Sequence, residues 1–155
     1  MMRALFRCAK TIAGVVHSPA DALLFVQICA FIVRLPAIVR RTDVPTFFER
    51  IGTAPRPKAR SFEAGYRRVA RLREAALSMP RLWRRDTCYL RAVTLYRFLD
   101  SRGHRVRVHF GVEQSSSPEQ RLRGHAWISV DDALFEAPDA VRLRRIHEVP
   151  LHVAI

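Results

Sequence analysis

Lysine is rare in this sequence, and acidic residues are few beside arginine. Its 155 residues carry 27 Lys+Arg against 14 Asp+Glu, a formal charge of +13, and lysine occurs only at Lys10 and Lys58. Arginine therefore carries nearly all of the positive charge, a skew that a high-GC genome also produces. A surplus of this size favours an anionic partner, whether nucleic acid, an acidic lipid surface or an acidic peptide, and charge alone does not choose among them. Cysteine is sparse as well. Cys8, Cys29 and Cys88 are odd in number and widely spaced, which argues against a disulfide framework or a CxxC metal or redox motif and fits a reducing cytoplasm.

Other absences narrow the field further. Outside His125, the histidines His17, His104, His109, His147 and His152 form no HExxH or other ligand spacing, so no metal and no cofactor are expected. No aromatic platform or helix-turn-helix pattern supports nucleic acid as a partner. There are no internal repeats, and the one polar tract, around Ser115-Ser116-Ser117-Pro118, reads as a surface loop. The most apolar stretch, residues 22–39, is interrupted by Gln27, Arg34 and Pro36. A transmembrane helix needs roughly 20 nearly uninterrupted apolar residues, and a central arginine costs roughly 2.5 kcal/mol or more on insertion scales. This stretch therefore reads as a buried or interfacial helix, and Arg40 and Arg41 at its end would suit anionic headgroups in a peripheral membrane contact. The N-terminal residues around Arg3, Arg7 and Lys10 lack a small-residue cleavage site and do not read as a signal peptide.

The chain is long enough for one core of ordinary size and too short for two. The proline-rich break Thr53-Ala54-Pro55-Arg56-Pro57 divides a helical extension, 1–57, from a core, 58–155, within one structural unit. Ser18-Pro19 opens a helix that is apolar nearly all round and so needs a cover, from the fold or from a partner. Ser61-Phe62-Glu63 opens a second, whose apolar positions Tyr66, Val69, Ala70, Leu72, Ala76 and Leu77 follow the helical period until Met79-Pro80. A third starts near Asp86 or Thr87 and runs to Gly103, with Cys88, Ala92, Leu95, Tyr96 and Leu99 on one face. The period then changes to two. Residues 105–112, 125–130 and 133–136 read as strands, the last two joined through Asp131-Asp132. Helices followed by an antiparallel meander make an α+β fold.

A cysteine nucleophile needs a favoured thiolate, a base within reach and donors for an oxyanion. The first turn of a helix favours the thiolate and supplies unpaired N–H groups, which suits Cys88. His125 opens a strand after Gly124, a place where a helix start can dock. A third group should orient its imidazole. If Asp131-Asp132 form a two-residue turn, Val130 pairs with Ala133 and Glu136 shares the face of His125; a three-residue turn places Asp139 opposite His125 instead. Glu136 and Asp139 both stand as candidates. Cys8 and Cys29 read as small core residues.

The stretches CYLRAVTLYRFLDSRGHRVRVHFGV and HAWISVDDALFE resemble the transglutaminase-like core of the B proteins of lasso-peptide biosynthesis, the leader peptidases of those pathways. The marks of the resemblance are Cys88 with Arg91-Ala92 and Leu95 behind it, Gly103, Gly111-Val112 and His125-Ala126-Trp127, preceded by Arg34-Leu35-Pro36. It implies a papain/transglutaminase-like cysteine hydrolase that cleaves the leader from a ribosomally made precursor, with Cys88 as nucleophile, His125 as base and an acid on the next strand. It also implies two partners, a separate leader-recognition protein and a macrolactam cyclase. The same fold serves acyl transfer in transglutaminases and arylamine acetyltransferases, and catalytic residues alone do not separate the two. A basic membrane- or nucleic-acid-binding module without catalysis is the remaining alternative.

Overall fold

Ser18 begins the first helix as a cap. Its backbone is extended (φ −155°, ψ 161°), its hydroxyl accepts from the Asp21 N–H at 3.1 Å, and Pro19 occupies a first-turn position where a missing N–H costs no bond. The computed structural model describes residues 14–53, 58–79, 88–99, 103–113, 124–135 and 143–150. Helix α1 spans Pro19–Val39 in one piece, with Pro36 inside it. Its inward face buries Leu24, Phe25, Ile28, Ile32 and Leu35. A short helix α2, Val44–Thr53, follows; Asp43 starts it by accepting from the Thr46 N–H at 3.0 Å, and it buries Phe47, Phe48 and Ile51. Helix α3, Phe62–Leu77, is capped by Ser61, whose hydroxyl accepts from the Ala64 N–H at 3.2 Å.

Helix α4, Cys88–Phe98, is the most enclosed of the four, with Ala92, Val93, Leu95, Tyr96 and Phe98 all buried. It ends before the expected Gly103, although that glycine does adopt the left-handed φ of 77°. The expected caps, Asp86 and Thr87, lie outside the described residues.

Four strands form one antiparallel sheet in the order β3-β2-β1-β4, with β1 over Val106–Glu113, β2 over Gly124–Val130, β3 over Ala133–Phe135 and β4 over Leu143–Pro150. Val106, Val108, Ala126, Ile128 and Val130 turn to the helices and join their side chains in one core. The meander was legible from alternation; β4 was not. Its apolar residues fall at 143, 146 and 149, a spacing of three that no regular strand presents to one face. The ladder absorbs this with an irregularity: Phe110 faces His147 and Gly111 faces Arg145, so Ile146 is the extra residue.

Asp131 and Asp132 have φ of 49° and 70°, and Val130 pairs with Ala133. This is the two-residue turn, with both residues in the left-handed region that Asp tolerates better than most. The turn is tied to β1. Asp131 accepts from the Arg105 N–H at 2.8 Å and lies 2.6 Å from His104 Nδ1, while Asp132 takes Arg105 and Arg107 at 2.8 and 2.7 Å.

One buried carboxylate joins α1 to α3. Asp21, 5% exposed, accepts from Arg68 Nε at 2.6 Å, from Arg71 Nη2 at 3.2 Å and from the His17 N–H at 3.1 Å. Burial alone would raise its pKa, but the His17 N–H and the two guanidinium groups outweigh it and hold the carboxyl below the ordinary carboxylate value. A lowered folded pKa stabilises the fold above the unfolded value, and that contribution is lost as pH falls through the folded one. Asp21→Asn should therefore cost about 2 kcal/mol at neutral pH in a denaturant titration. The difference from wild type should shrink once pH drops below about 4; a constant difference across that range would refute the linkage.

Candidate active site

Cys88 is the first residue of α4, and its side chain rests on the start of β2. Sγ accepts from the Ala126 N–H at 3.3 Å and lies 3.8 Å from the Gly124 carbonyl, to which its thiol can donate. The sulfur thus touches the backbone on both sides of His125. Among the described residues β3 pairs with Ile128, Ser129 and Val130, and the first half of β2 pairs with β1. Cys88 and His125 line a single cavity of about 630 Å³, together with Ala126, Trp127 and Ile128 of β2 and with residues of α3 and α4.

His125 and Trp127 are two residues apart, alternate with the core residues Ala126 and Ile128, and line the cavity with Cys88; among the described residues no hydrogen bond joins Sγ to the imidazole. The imidazole has Gly111 as its cross-strand neighbour on β1, so no side chain crowds it from that side. Nδ1 of His125 and Nε1 of Trp127 are both buried and have no hydrogen-bond partner among the described residues. Trp127 is 5% exposed and stacks on His109 (centroids 5.5 Å apart, planes at 19°), and His109 Nε2 pairs with Ser129 Oγ at 2.7 Å. Trp127 thus forms packed floor beside His125. The two candidate acids, Glu136 and Asp139, lie outside the described residues. The register beside them is that of the two-residue turn, Val130 with Ala133 and Ile128 with Phe135.

The far wall of the cavity comes from α3, which the sequence reading had not connected with the site. Arg71, Arg73 and Glu74 line it, as does Arg91 of α4. Arg73 is 2% exposed. Its Nε and Nη2 donate to Glu74 Oε1 at 3.0 and 2.8 Å, and its Nη1 donates to the Arg91 carbonyl at 3.1 Å. The same Glu74 oxygen accepts from Arg91 Nη1 at 2.6 Å. A guanidinium is the one cation that can make this fork, because its donors are coplanar and fixed. The clue lay in the helical period: position 73 falls four residues after Val69 and three before Ala76, on the buried stripe, where a charge needs partners. Among the described residues no three His, Cys, Asp or Glu side chains gather as metal ligands.

Two outcomes follow from this geometry. Burial pushes the Cys29 thiol up to about 11, leaving little thiolate near neutral pH. Iodoacetamide should therefore alkylate Cys88 at least tenfold faster than Cys29, as read by mass spectrometry of digested protein, and His125→Ala should slow the Cys88 adduct. Equal rates, or a Cys88 rate indifferent to His125, would remove the nucleophile assignment. Arg73→Met, which keeps the length of the side chain but removes the fork, should destabilise the fold by about 2 kcal/mol because it deletes the buried charge-assisted bonds to Glu74 and to the Arg91 carbonyl. Chemical denaturation measures this, and a loss under about 0.5 kcal/mol would show that the fork is idle.

A thiol at a helix start against a strand that carries histidine agrees with the family comparison. Residues 31–148 match the transglutaminase-like superfamily, a stretch that runs from within α1 into β4 and encloses both Cys88 and His125. No curated protein and no solved structure matches the chain significantly. With an α+β fold of this order and a family match over most of its length, the chain belongs to the transglutaminase-like superfamily.

Proposed function

We propose that the protein is a cysteine peptidase that removes the leader from a ribosomally made lasso-peptide precursor. The superfamily includes cysteine peptidases and acyltransferases. The observation that carries a catalytic reading is the seat of Cys88, with Sγ 3.3 Å from the Ala126 N–H and sharing one cavity with His125. The peptidase reading, and the lasso-peptide substrate in particular, rest on the sequence resemblance through Cys88, Arg91-Ala92, Gly111-Val112 and His125-Ala126-Trp127.

In this mechanism the Cys88 thiolate attacks the scissile carbonyl and forms a sulfur–carbon bond. Backbone N–H groups at the start of α4 hold the oxyanion. His125, having taken the thiol proton, gives it to the leaving amine, and the core peptide departs with a new N-terminus. Water activated by His125 then hydrolyses the thioester and frees the leader with a C-terminal carboxylate. The buried Nδ1 of His125 calls for an orienting partner. The turn at Asp131-Asp132 has two residues, the case for which alternation along the sequence gives Glu136 rather than Asp139 the parity of His125, and Glu136 is therefore proposed as the third member. A separate leader-recognition protein would deliver the precursor, a macrolactam cyclase would take the freed core, and all three would work in the cytoplasm.

The test is cleavage of lasso-type precursor peptides by the full chain in ¹⁸O-labelled water, with and without a leader-binding protein. The expected product is a leader that carries ¹⁸O at its new C-terminus. Cys88→Ala should abolish it and His125→Ala should lower the rate at least about a hundredfold. Glu136→Gln should reduce the rate more than Asp139→Asn. Capture of the acyl group by an added amine with no ¹⁸O in the product would assign acyl transfer instead.

A further inference from the structure

We infer that the outward face of α1 is a docking surface for an anionic phospholipid bilayer, on which the protein lies peripherally. Among the described residues six large apolar side chains are exposed, and five of them, Leu23, Val26, Val33, Val39 and Val44, belong to α1 and the first residue of α2. Leu23, Val26, Ala30, Val33 and Ala37 succeed one another at alternating steps of three and four, which sets them in one stripe along the helix. That stripe is opposite Leu24, Ile28, Ile32 and Leu35, which are buried in the core.

Charge identifies the occupant. Arg34 lies beside the stripe and Arg40 and Arg41 close its end; all three are exposed and have no ion-pair partner among the described residues. Residues 22–42 contain no acid at all. An apolar stripe edged with unpaired arginines fits a headgroup layer that is negative above and hydrocarbon beneath, since arginine can sink its methylenes and keep its guanidinium at the phosphates. A cavity of about 440 Å³ continues the apolar surface at this end, lined by Val39, Val44, Phe47, Phe48 and Phe110 with Thr42 and Tyr89. Burial pushes the Tyr89 hydroxyl up to about 12, so this wall carries no negative charge.

Two other covers fit less well. A second copy of the chain would set these unpaired arginines against their own like in a two-fold contact. A protein partner seated along the helix would be expected to meet aromatic or methionine anchors there, and the stripe itself is leucine, valine and alanine only, the aromatic side chains being confined to the cavity at its end. The helix is long and apolar enough to cross a membrane, but crossing would strip Ile28 and Ile32 from the core and Asp21 from its two arginines. It therefore lies along the surface.

Co-sedimentation of the full chain with vesicles decides the matter, using phosphatidylcholine alone and phosphatidylcholine mixed one-third with phosphatidylglycerol. Partitioning should favour the anionic vesicles at least tenfold and should fall as salt rises. Val26→Glu with Val33→Glu should lower binding more than tenfold while circular dichroism stays that of wild type. Arg40→Gln with Arg41→Gln should weaken it about fivefold per arginine. Equal binding to both vesicle types, binding that survives the glutamate pair, or a stable dimer that the glutamate pair dissolves without any vesicle binding would each overturn the inference.

Discussion

The buried guanidinium of Arg73 governs where the nucleophile's helix can sit. A cation at 2% exposure is costly unless its donors are met, and here Glu74 and the Arg91 carbonyl meet them. Arg91 is one turn beyond Cys88, so the fork grips α4 in the turn that carries the thiol. Glu74 is also held by Arg91 Nη1, so one carboxylate oxygen joins both arginines. The position of the sulfur against β2 thus depends on a polar contact between two helices, set in the wall of the cavity that the thiol lines.

Seen this way, the charge of +13 is several populations rather than one. Arg68 and Arg71 hold Asp21, Arg73 and Arg91 share Glu74, and Arg105 and Arg107 hold the Asp132 carboxylate at the tip of the hairpin. These arginines join pieces of the fold. Arg34, Arg40 and Arg41 hold nothing among the described residues and face outward. Composition alone favours an anionic partner; the structure gives Arg68, Arg71, Arg73, Arg91, Arg105 and Arg107 acidic partners within the fold.

Much of this was legible in the sequence, for local reasons. Ser18-Pro19 and Ser61 announce helix starts because a hydroxyl must reach back to an N–H two or three residues on, and both do so here. Alternation over 105–112 and 125–130 gave the central strands because one face is apolar and faces the helices. Asp131-Asp132 gave the turn because few other side chains tolerate a left-handed pair. What escaped was non-local. β4 carries its apolar residues three apart and depends on an extra residue opposite the step from Phe110 to Gly111, a feature that its own pattern does not announce. The α3 wall of the cavity escaped for a similar reason, since the period of α3 puts position 73 on its buried stripe but does not say which element packs there. Cys88 stood apart from Cys29 only through its place at a helix start and the resemblance around it.

The sheet divides its duties between its two ends. At one end His104, Arg105 and Arg107 close on the Asp131-Asp132 pair through short polar contacts, and the strand register is fixed there. At the other end β1 stops at Glu113 and β2 starts at Gly124, next to His125, and the chain between them returns to the sheet at the site itself. A register anchored at the far end does not depend on the length or composition of that connection. Relatives can therefore lengthen, shorten or rewrite it to suit a different substrate without shifting any residue of the sheet out of step, which makes this segment the natural place for specificity to diverge and for an engineer to graft a new one.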